Sequence, residues 1–227
     1  LNILEGCRKF GIENLCYAST SSVYGINKKI PFSTADNTDH PISTYAATKK
    51  SNELMAHTYS SLFKIRTTGL RFFTVYGPWG RPDMALFKFV KAALNNETIK
   101  VYNFGDMERD FTYIDDIKEC VLAAIDNPAK SNDNWEEEGC LSNSSTSPFK
   151  IYNVGNSKPI SILEFISKIE EVLQVHISKD LSSLQLGDVK KTYADISNTQ
   201  EVFGYSPKID LTQGIKNFVN WYKQFYK

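Results

Sequence analysis

The sequence predicts an α/β protein in which a doubly wound parallel sheet is followed by a smaller mixed α/β lobe. Two compact apolar segments, 14–19 and 65–73, have the composition of buried strands, and each leads into a polar or turn-rich loop. Segments with helical periodicity lie between and around them. Helices dominate the second half of the chain, which favours a mixed lobe there. At 227 residues the chain is long enough for one large domain or two small ones.

The composition argues against several classes of partner. Lys and Arg together number 26, as do Asp and Glu, so no net charge attracts nucleic acid or an anionic membrane. No apolar run approaches the roughly 20 residues that span a bilayer. We therefore expect no nucleic-acid and no membrane partner. The four cysteines form no CxxC pair and no cluster with histidine, which indicates reduced thiols, a cytoplasmic location and no metal.

The first helix and strand bring polar side chains to a strand end. Apolar residues at helical spacing predict a helix over 1–10, which Gly11 ends. The strand 14–19 then runs into Ser19-Thr-Ser-Ser22. Open α/β sheets bind ligands at the carboxyl ends of their parallel strands, which makes this run a candidate site. A Ser/Thr-rich turn that caps the next element is an equally good interpretation.

A long helix follows a hydrophilic loop. The loop spans 25–41, and Ser43 is a suitable N-cap for a helix over 44–63. This helix carries an apolar stripe, which comprises Leu54, His57, Thr58 and Leu62, and these positions do not by themselves distinguish a subunit interface from a core.

The second strand leads into a constrained loop. We expect the strand 65–73 to end, like the first, in a loop at the site edge, which begins with residues 74–78. Two glycines and two prolines in 77–83 exclude regular structure, so Trp79 and Arg81 lie on a constrained loop. Trp79 is equally well explained as a packing anchor.

The second half reads as a series of short elements. Periodicity predicts helices over 85–94, 161–173, 195–204 and 211–226, and short apolar runs predict strands at 99–102 and 150–155. Residues 105–116 read as a turn leading to a helix N-terminus, where Asp115 and Asp116 serve as helix-end charges rather than as a catalytic pair. The stretch 127–148 is too polar to pack and is predicted to be a surface insertion.

Tyr45 and Lys49 form the most suggestive chemical pattern in the chain. At a spacing of four in a helix, both side chains lie on one face. An ammonium held near a phenol favours the phenolate, which is a competent base. Chance alone can supply this spacing, so the rest of the chain must decide.

Several segments together carry a family resemblance. They are 17–25 (Tyr-Ala-Ser-Thr-Ser-Ser-Val-Tyr-Gly), 40–57, 69–83, 109–116, 151–155, 187–188 and 194–196. In this order they resemble the extended short-chain dehydrogenase/reductase family and its NAD-dependent epimerase/dehydratase branch, most closely the nucleotide-sugar 4-epimerases that act on UDP-glucuronate. The resemblance covers nearly the whole chain and implies a Rossmann-like fold.

The resemblance implies roles for particular residues. Tyr45 is expected to be the catalytic acid/base, Lys49 to support its ionisation and hold the ribose of NAD, and Thr20 to hydrogen-bond the reacting hydroxyl. The residues expected to contact NAD are Ala18, Ser19, Tyr45, Lys49, Phe72 and Val75. Those expected to contact the substrate are Ser21, Ser22, Thr74, Arg81, Leu86, Tyr102, Arg109 and Asp188.

Two positions bear on the reaction and the substrate. Relatives that dehydrate or decarboxylate nucleotide sugars carry an acid where this chain has Ser22, so the resemblance favours epimerisation. Ser21, Ser22, Thr74 and Arg81 are expected to hold a sugar carboxylate, and Arg109 the diphosphate. A surface ion pair is the other explanation of Arg109. Gln185 stands where some galactose epimerases carry a second phosphate-binding arginine.

The family's Gly-rich dinucleotide loop does not occur in this sequence. We therefore expect an N-terminally truncated chain that binds NAD poorly by itself and is a homodimer when full length. Residues 1–83 are assigned to the NAD-binding domain, to which 105–126 and 150–160 can return, and 84–227 to a substrate lobe carrying the insertion. The alternatives are a UDP-hexose or UDP-N-acetylhexosamine epimerase and a non-catalytic nucleotide-sugar-binding relic.

Overall fold

The computed structural model describes residues 1–226 and divides into two compact units. Unit 1 comprises Leu1–Phe73, Lys118–Val154 and Ala194–Tyr205, and unit 2 comprises Thr74–Ile117, Gly155–Tyr193 and the stretch from Ser206 onward. The helices are α1 (Asn2–Phe10), α2 (Thr44–Phe63), α3 (Ala85–Leu94), α4 (Ile114–Asp126), α5 (Ile162–Leu173), α6 (Ser197–Phe203) and α7 (Leu211–Phe225). The strands are β1 (Asn14–Thr20), β2 (Arg66–Phe72), β3 (Thr74–Tyr76), β4 (Ile99–Val101), β5 (Glu108–Arg109), β6 (Phe111–Tyr113), β7 (Phe149–Val154), β8 (Ile160–Ser161) and β9 (Lys179–Leu181).

Unit 1 contains a parallel sheet with the strand order β1-β2-β7. Ser19 lies opposite Arg71, and Thr20 lies opposite Phe72, so β1 and β2 end at the same edge as predicted. β1 has one strand neighbour and is only partly buried, with Ala18 exposed. The α/β class with a parallel sheet is confirmed.

Helix α2 begins where its cap predicts but packs through a different face. The Ser43 hydroxyl accepts a hydrogen bond from the Ala46 N–H at 3.2 Å, which satisfies a free amide of the first turn. The apolar stripe is not the buried face of the helix: Leu54 is 59% and Leu62 is 67% exposed, Thr58 is exposed, and His57 is only partly buried. The buried positions are Ala46, Glu53, Ala56 and Ser60. Short side chains on this face allow the helix backbone to approach the sheet closely.

Residues 130–142 of the polar stretch 127–148 are exposed or partly exposed, as predicted for a surface insertion, but its last residues pack in spite of their composition. The stretch belongs to unit 1 rather than to the lobe in which it was predicted. Asn143 and Ser145 are buried. The Asn143 amide donates to the Thr34 hydroxyl at 2.7 Å, and Ser145 Oγ lies 3.0 Å from His57 Nε2. These hydrogen bonds replace water, which is how polar side chains become buried without a large desolvation cost.

Unit 2 is built from short strand pairs and helices around an aromatic core. β3 pairs with β6 and β4 with β9 in parallel, and β5 pairs with β8 antiparallel. The rings of Phe111 and Phe165 stack at 4.0 Å, and both residues are buried. On α7 the predicted stripe is confirmed, since Ile215, Phe218, Val219 and Tyr222 are buried.

Two predictions for this region are corrected. The loop predicted to begin at residue 74 contains a strand, because Thr74 N–H donates to the Asp110 carbonyl and β3 joins β6. The predicted turn over 105–116 contains β5 and β6. Asp116 is a first-turn residue of α4 as expected, and its carboxylate accepts hydrogen bonds from the N–H groups of Lys208 and Ile209.

The thiols of unit 1 differ in their surroundings. Cys7 and Cys120 are buried, Cys16 is partly buried and Cys140 is exposed. Burial raises the pKa of Cys16 to about 11 and that of Cys120 to about 12, so both remain protonated at neutral pH.

Among residues 1–226, no helix has both the length and the hydropathy of a bilayer-spanning segment.

Candidate active site

The carboxyl end of β1 presents Thr20 at a structural junction. Thr20 has extended backbone geometry and precedes a 3₁₀ helix, Ser21–Tyr24. Its hydroxyl accepts a hydrogen bond from the Ser22 N–H at 3.2 Å and donates one to Ser22 Oγ, also at 3.2 Å. Thr20 is therefore the cap of the next element, as one interpretation of the sequence predicted. It also places a hydroxyl where parallel strands bring ligand-binding groups.

Helix α2 brings Lys49 to the same strand end. The Lys49 ammonium donates a hydrogen bond to the Ala18 carbonyl at 3.1 Å, which joins the helix to β1 next to Thr20. Tyr45, one turn earlier, is 51% exposed, so its phenol is open to a ligand. The predicted members Tyr45, Lys49 and Thr20 thus belong to adjoining elements of unit 1. The Tyr45 hydroxyl and the Lys49 ammonium offer the kind of groups that bind ribose hydroxyls.

The other predicted cofactor contacts differ in availability. Phe72 lies opposite Thr20 in the sheet, at the carboxyl end of β2. Ser19 is buried, and its hydroxyl donates to Glu53 at 2.6 Å, so this side chain already has a partner inside the protein. Val75 lies on β3 in unit 2.

A buried ion pair behind this site was not predicted. Arg71 donates from Nε and Nη2 to the two carboxylate oxygens of Glu53, each at 2.9 Å, and the side chains are 0% and 2% exposed. The Arg71 guanidinium carbon lies 4.9 Å from the centre of the Tyr24 ring. Burial by itself lowers the pKa of Arg71, but Tyr24 and Glu53 raise it above its ordinary value, so the residue remains a cation. Burial raises the pKa of Tyr24, which therefore stays neutral.

Unit 2 holds the residues expected to bind the diphosphate. Arg109 donates from Nη2 to Asp188 at 2.7 Å and from Nη1 to the carbonyls of Glu108 and Lys190. Burial lowers the pKa of Arg109, and Asp188 opposes that effect. The position of Arg109 is therefore compatible with an ion pair and with diphosphate binding, because a phosphate could replace Asp188 as the partner of its guanidinium.

The remaining predicted substrate contacts lie at several places. Ser21 and Ser22 form the first turn of the 3₁₀ helix in unit 1. Thr74 begins β3, and Tyr102 begins a short 3₁₀ segment. The Leu86 side chain is packed in the core of unit 2, so only its backbone can reach a ligand.

The constrained loop of unit 2 exposes Arg81. Arg81 is largely exposed and donates to Asp83 at 3.0 Å. Trp79 adopts a positive φ of 63° and contacts Trp221 and Phe225, with ring centroids 5.3 and 4.8 Å away. Its indole is nevertheless mostly exposed, so it anchors the loop through one face only.

The residues present fit one end of a dinucleotide. Lys49 and Tyr45 offer a donor and a donor/acceptor beside the strand ends, which suits the ribose and nicotinamide of NAD. The 227-residue sequence contains no Gly-rich loop to cradle the pyrophosphate.

Comparison with known proteins agrees with this geometry. A family model described as the NAD dependent epimerase/dehydratase family matches residues 1–155. Protein CapI of Staphylococcus aureus is 53% identical over all of this chain and 68% of its own length. A probable UDP-glucuronate 4-epimerase of Rhizobium meliloti is 43% identical over all of this chain and 67% of its own length.

A solved structure shares the fold. The UDP-glucuronic acid 4-epimerase from Bacillus cereus, in complex with UDP-glucuronic acid and NAD, is 32% identical with a TM-score of 0.81, and the match covers 99% of this chain and 66% of that one. The chain therefore spans about two thirds of the length of these relatives. The predicted Rossmann-like fold, the epimerase class of enzyme and the cofactor of that class, NAD, are confirmed. The chain belongs to the NAD-dependent epimerase/dehydratase family.

Proposed function

We propose that the protein epimerises carbon 4 of UDP-glucuronate to give UDP-galacturonate through a transient 4-keto sugar. The observation that carries the proposal is the contact between Lys49 and the Ala18 carbonyl, which holds the helix of Tyr45 against the strand end of Thr20. A base, a cation and a hydroxyl donor in adjoining elements are what removal of a hydride from an alcohol requires.

Each side chain has one task in this reaction. Tyr45 acts as the base that takes the proton from the 4-hydroxyl, while Thr20 donates a hydrogen bond to the same oxygen as negative charge develops on it. NAD, whose ribose Lys49 would hold, would supply the acceptor for the hydride of carbon 4 and the source of its return to the other face of the keto sugar. Tyr45 then gives its proton back to the oxygen, so no net oxidant is consumed.

The preference for a sugar acid rests on hydroxyls and one arginine. Ser22 stands where an acid would assist elimination, which leaves epimerisation as the favoured outcome. We propose that Ser21, Ser22, Thr74 and Arg81 bind the 6-carboxylate and restrain the keto acid from losing carbon dioxide. Arg81 is exposed and its pair with Asp83 is a surface ion pair, which costs little to exchange for a substrate carboxylate. The relatives named UDP-glucuronate 4-epimerases support this choice.

The experiment is a substrate panel with a matched pair of variants. The full-length gene product is given UDP-glucuronate, UDP-galactose or UDP-N-acetylglucosamine, and products are identified by NMR. We expect conversion of UDP-glucuronate and a loss of kcat of about 10² to 10⁴ in Tyr45→Phe, with UDP-sugar binding nearly intact. Tyr59→Phe makes the same chemical change on the same helix and should keep turnover.

Three results would contradict the proposal. Full turnover in Tyr45→Phe would remove this tyrosine from the mechanism. Conversion of UDP-galactose or UDP-N-acetylglucosamine alone would overturn the sugar-acid assignment. Binding of UDP-sugar without any turnover would favour the non-catalytic alternative.

We also propose that the full-length protein is a homodimer that buries the outer face of α2. Leu54 and Leu62 on this face are exposed, as is Phe10 on α1. Large apolar side chains gathered on a surface favour an interface. Sedimentation should give a dimer mass for the wild type and a monomer mass for Leu62→Glu, and a dimer that persists in this variant would exclude this face.

A further inference from the structure

We infer that Glu53 is a positioning residue that fixes the Tyr45 and Lys49 helix in register with the end of β1. The inference rests on the proposed function, because it concerns the arrangement of the proposed catalytic side chains. Glu53 lies one helical turn beyond Lys49 and two beyond Tyr45, so it shares their side of the helix.

The first step is the contact between Glu53 and β1. The Ser19 hydroxyl donates to Glu53 Oε1 at 2.6 Å, and both residues are buried. Ser19 stands between Ala18, whose carbonyl accepts from Lys49, and Thr20. Two hydrogen bonds therefore join α2 to consecutive residues of β1, one from Lys49 and one to Glu53. Together they set how far along the helix axis Tyr45 lies from Thr20.

The second step is what immobilises Glu53 itself. Arg71 binds both carboxylate oxygens in a forked geometry, which fixes the plane of the carboxylate as a single hydrogen bond does not. Arg71 lies directly opposite Ser19 in the parallel register, so the carboxylate is held between neighbouring positions of β1 and β2. The Lys50 ammonium lies 3.8 Å from Glu53 Oε2 and adds positive charge next to the carboxylate.

The third step is the support on the far side of Arg71. Asn153 of β7 lies opposite Arg71, and its amide oxygen accepts a hydrogen bond from the Tyr24 hydroxyl at 2.6 Å. The Tyr24 ring covers the guanidinium. Ser19, Arg71 and Asn153 thus form one polar row across all three strands, and Glu53 is the helix residue that binds to it.

A structural purpose alone does not account for this arrangement. Replacing a buried ion pair by apolar side chains of similar volume is often neutral or stabilising, so charge is a poor means of attaching a helix to a sheet. What an apolar contact does not provide is a directional bond to one hydroxyl. The Glu53 to Ser19 bond provides that direction, at the residue next to the proposed catalytic threonine.

The test is Ser19→Ala in the full-length gene product, which removes one hydroxyl and leaves the Glu53–Arg71 pair in place. We expect kcat for UDP-glucuronate to fall by about 10- to 100-fold with KM unchanged, because a displacement of about 1 Å costs this much in rate. Ser19→Thr keeps the hydroxyl and should restore most of kcat. Thr34→Val, the matched control, removes another buried hydroxyl of unit 1 that is hydrogen-bonded to Asn143 and should keep kcat.

A second measurement does not depend on turnover. The carbonyl carbon of Ala18, labelled with ¹³C, reports the hydrogen bond from Lys49 through its NMR shift, and Lys49→Met gives the position of the unbonded carbonyl. Because Ser19→Ala also alters the peptide group of this carbonyl, the resonance is read in each protein as its distance from that of the same protein carrying Lys49→Met. We expect this distance to shrink in Ser19→Ala and to stay unchanged in Thr34→Val.

The outcomes separate the inference from the proposed function. An unchanged distance between the Ala18 resonances in Ser19→Ala, or a kcat equal to that of Thr34→Val, overturns the positioning role. A smaller distance in a protein whose wild type converts no UDP-sugar overturns the proposed function and leaves the helix-to-strand register dependent on Glu53 and Ser19.

Discussion

Removing the Glu53 carboxylate should be among the most destabilising single changes in unit 1. In Glu53→Leu, the Arg71 guanidinium loses two hydrogen bonds of 2.9 Å and remains buried at 0% exposure, where water cannot reach it. Breaking one side of such a pair costs about 3–5 kcal/mol of unfolding free energy. Lys50 also loses a neighbour, but it keeps a hydrogen bond to the Thr38 hydroxyl at 2.6 Å and contributes less.

The double variant Glu53→Leu with Arg71→Met should behave in the opposite way. With both charges gone, no buried ion is left unpaired, and the unfolding free energy should lie near or above that of the wild type. Urea unfolding followed by circular dichroism measures the unfolding free energy of the wild type, the two single variants and the double variant. The comparison requires that the four proteins have equal m-values. If the double variant loses the sum of the two single losses, the pair is not coupled and the reasoning fails. A loss below about 1 kcal/mol in Glu53→Leu would equally refute it.

Other expected outcomes follow from individual contacts. Burial lowers the pKa of the His57 imidazole in the folded protein. As the pH falls, the imidazole therefore binds a proton at a higher pH in the unfolded chain than in the folded one. The unfolding free energy should then fall through about pH 6.5 and below in the wild type. That fall should be smaller in His57→Gln, and a pH profile equal to that of the wild type would contradict the assignment. Phe165→Ala should lose about 3–5 kcal/mol of unfolding free energy because its ring is fully buried, whereas Leu163→Ala on the exposed side of the same helix should lose little. Arg109→Gln should weaken UDP binding in calorimetry by roughly 10- to 100-fold, the equivalent of one charge-assisted hydrogen bond, without changing uridine binding; unchanged UDP affinity would remove Arg109 from the diphosphate site.

Local signals predicted the elements that carry the candidate site residues, because helix caps and strand ends are encoded over short distances. The cap at Ser43 and the one-turn spacing of Tyr45 and Lys49 depend only on helix geometry, and the helix begins where they place it. The polar end of β1 follows from strand polarity, which brought Thr20 to the edge shared with β2.

The buried residues that hold the candidate site in place, Ser19, Glu53 and Arg71, are brought together by contacts between distant parts of the sequence, and periodicity does not predict such contacts. Ser19 and Glu53 are 34 residues apart, and Glu53 and Arg71 are 18 apart, so their contact requires the sheet register to be known. A signal was present: Arg71 is a charge between Leu70 and Phe72 in a predicted strand, and Glu53 continues the spacing of Tyr45 and Lys49. Such a buried charge requires a partner.

The buried face of α2 could not be assigned from the sequence for a related reason. Periodicity marked Leu54 and Leu62 as apolar without distinguishing an interface from a core, and α2 meets the sheet through small residues and one paired carboxylate. The stretch 143–147 was judged too polar to pack because its amide and hydroxyl partners, such as Thr34, lie far away in sequence.

The discontinuity of unit 1 has a consequence for synthesis on the ribosome. β2 pairs on one side with β7, and Thr67 lies opposite Phe149. At about 5–20 residues per second, the roughly 80 residues between them take on the order of 4–16 s to translate. During that interval one edge of β2 has no strand to pair with, and an open edge recruits other chains. The nascent chain is therefore expected to depend on chaperones most strongly after Phe73 has emerged and before Val154 has followed.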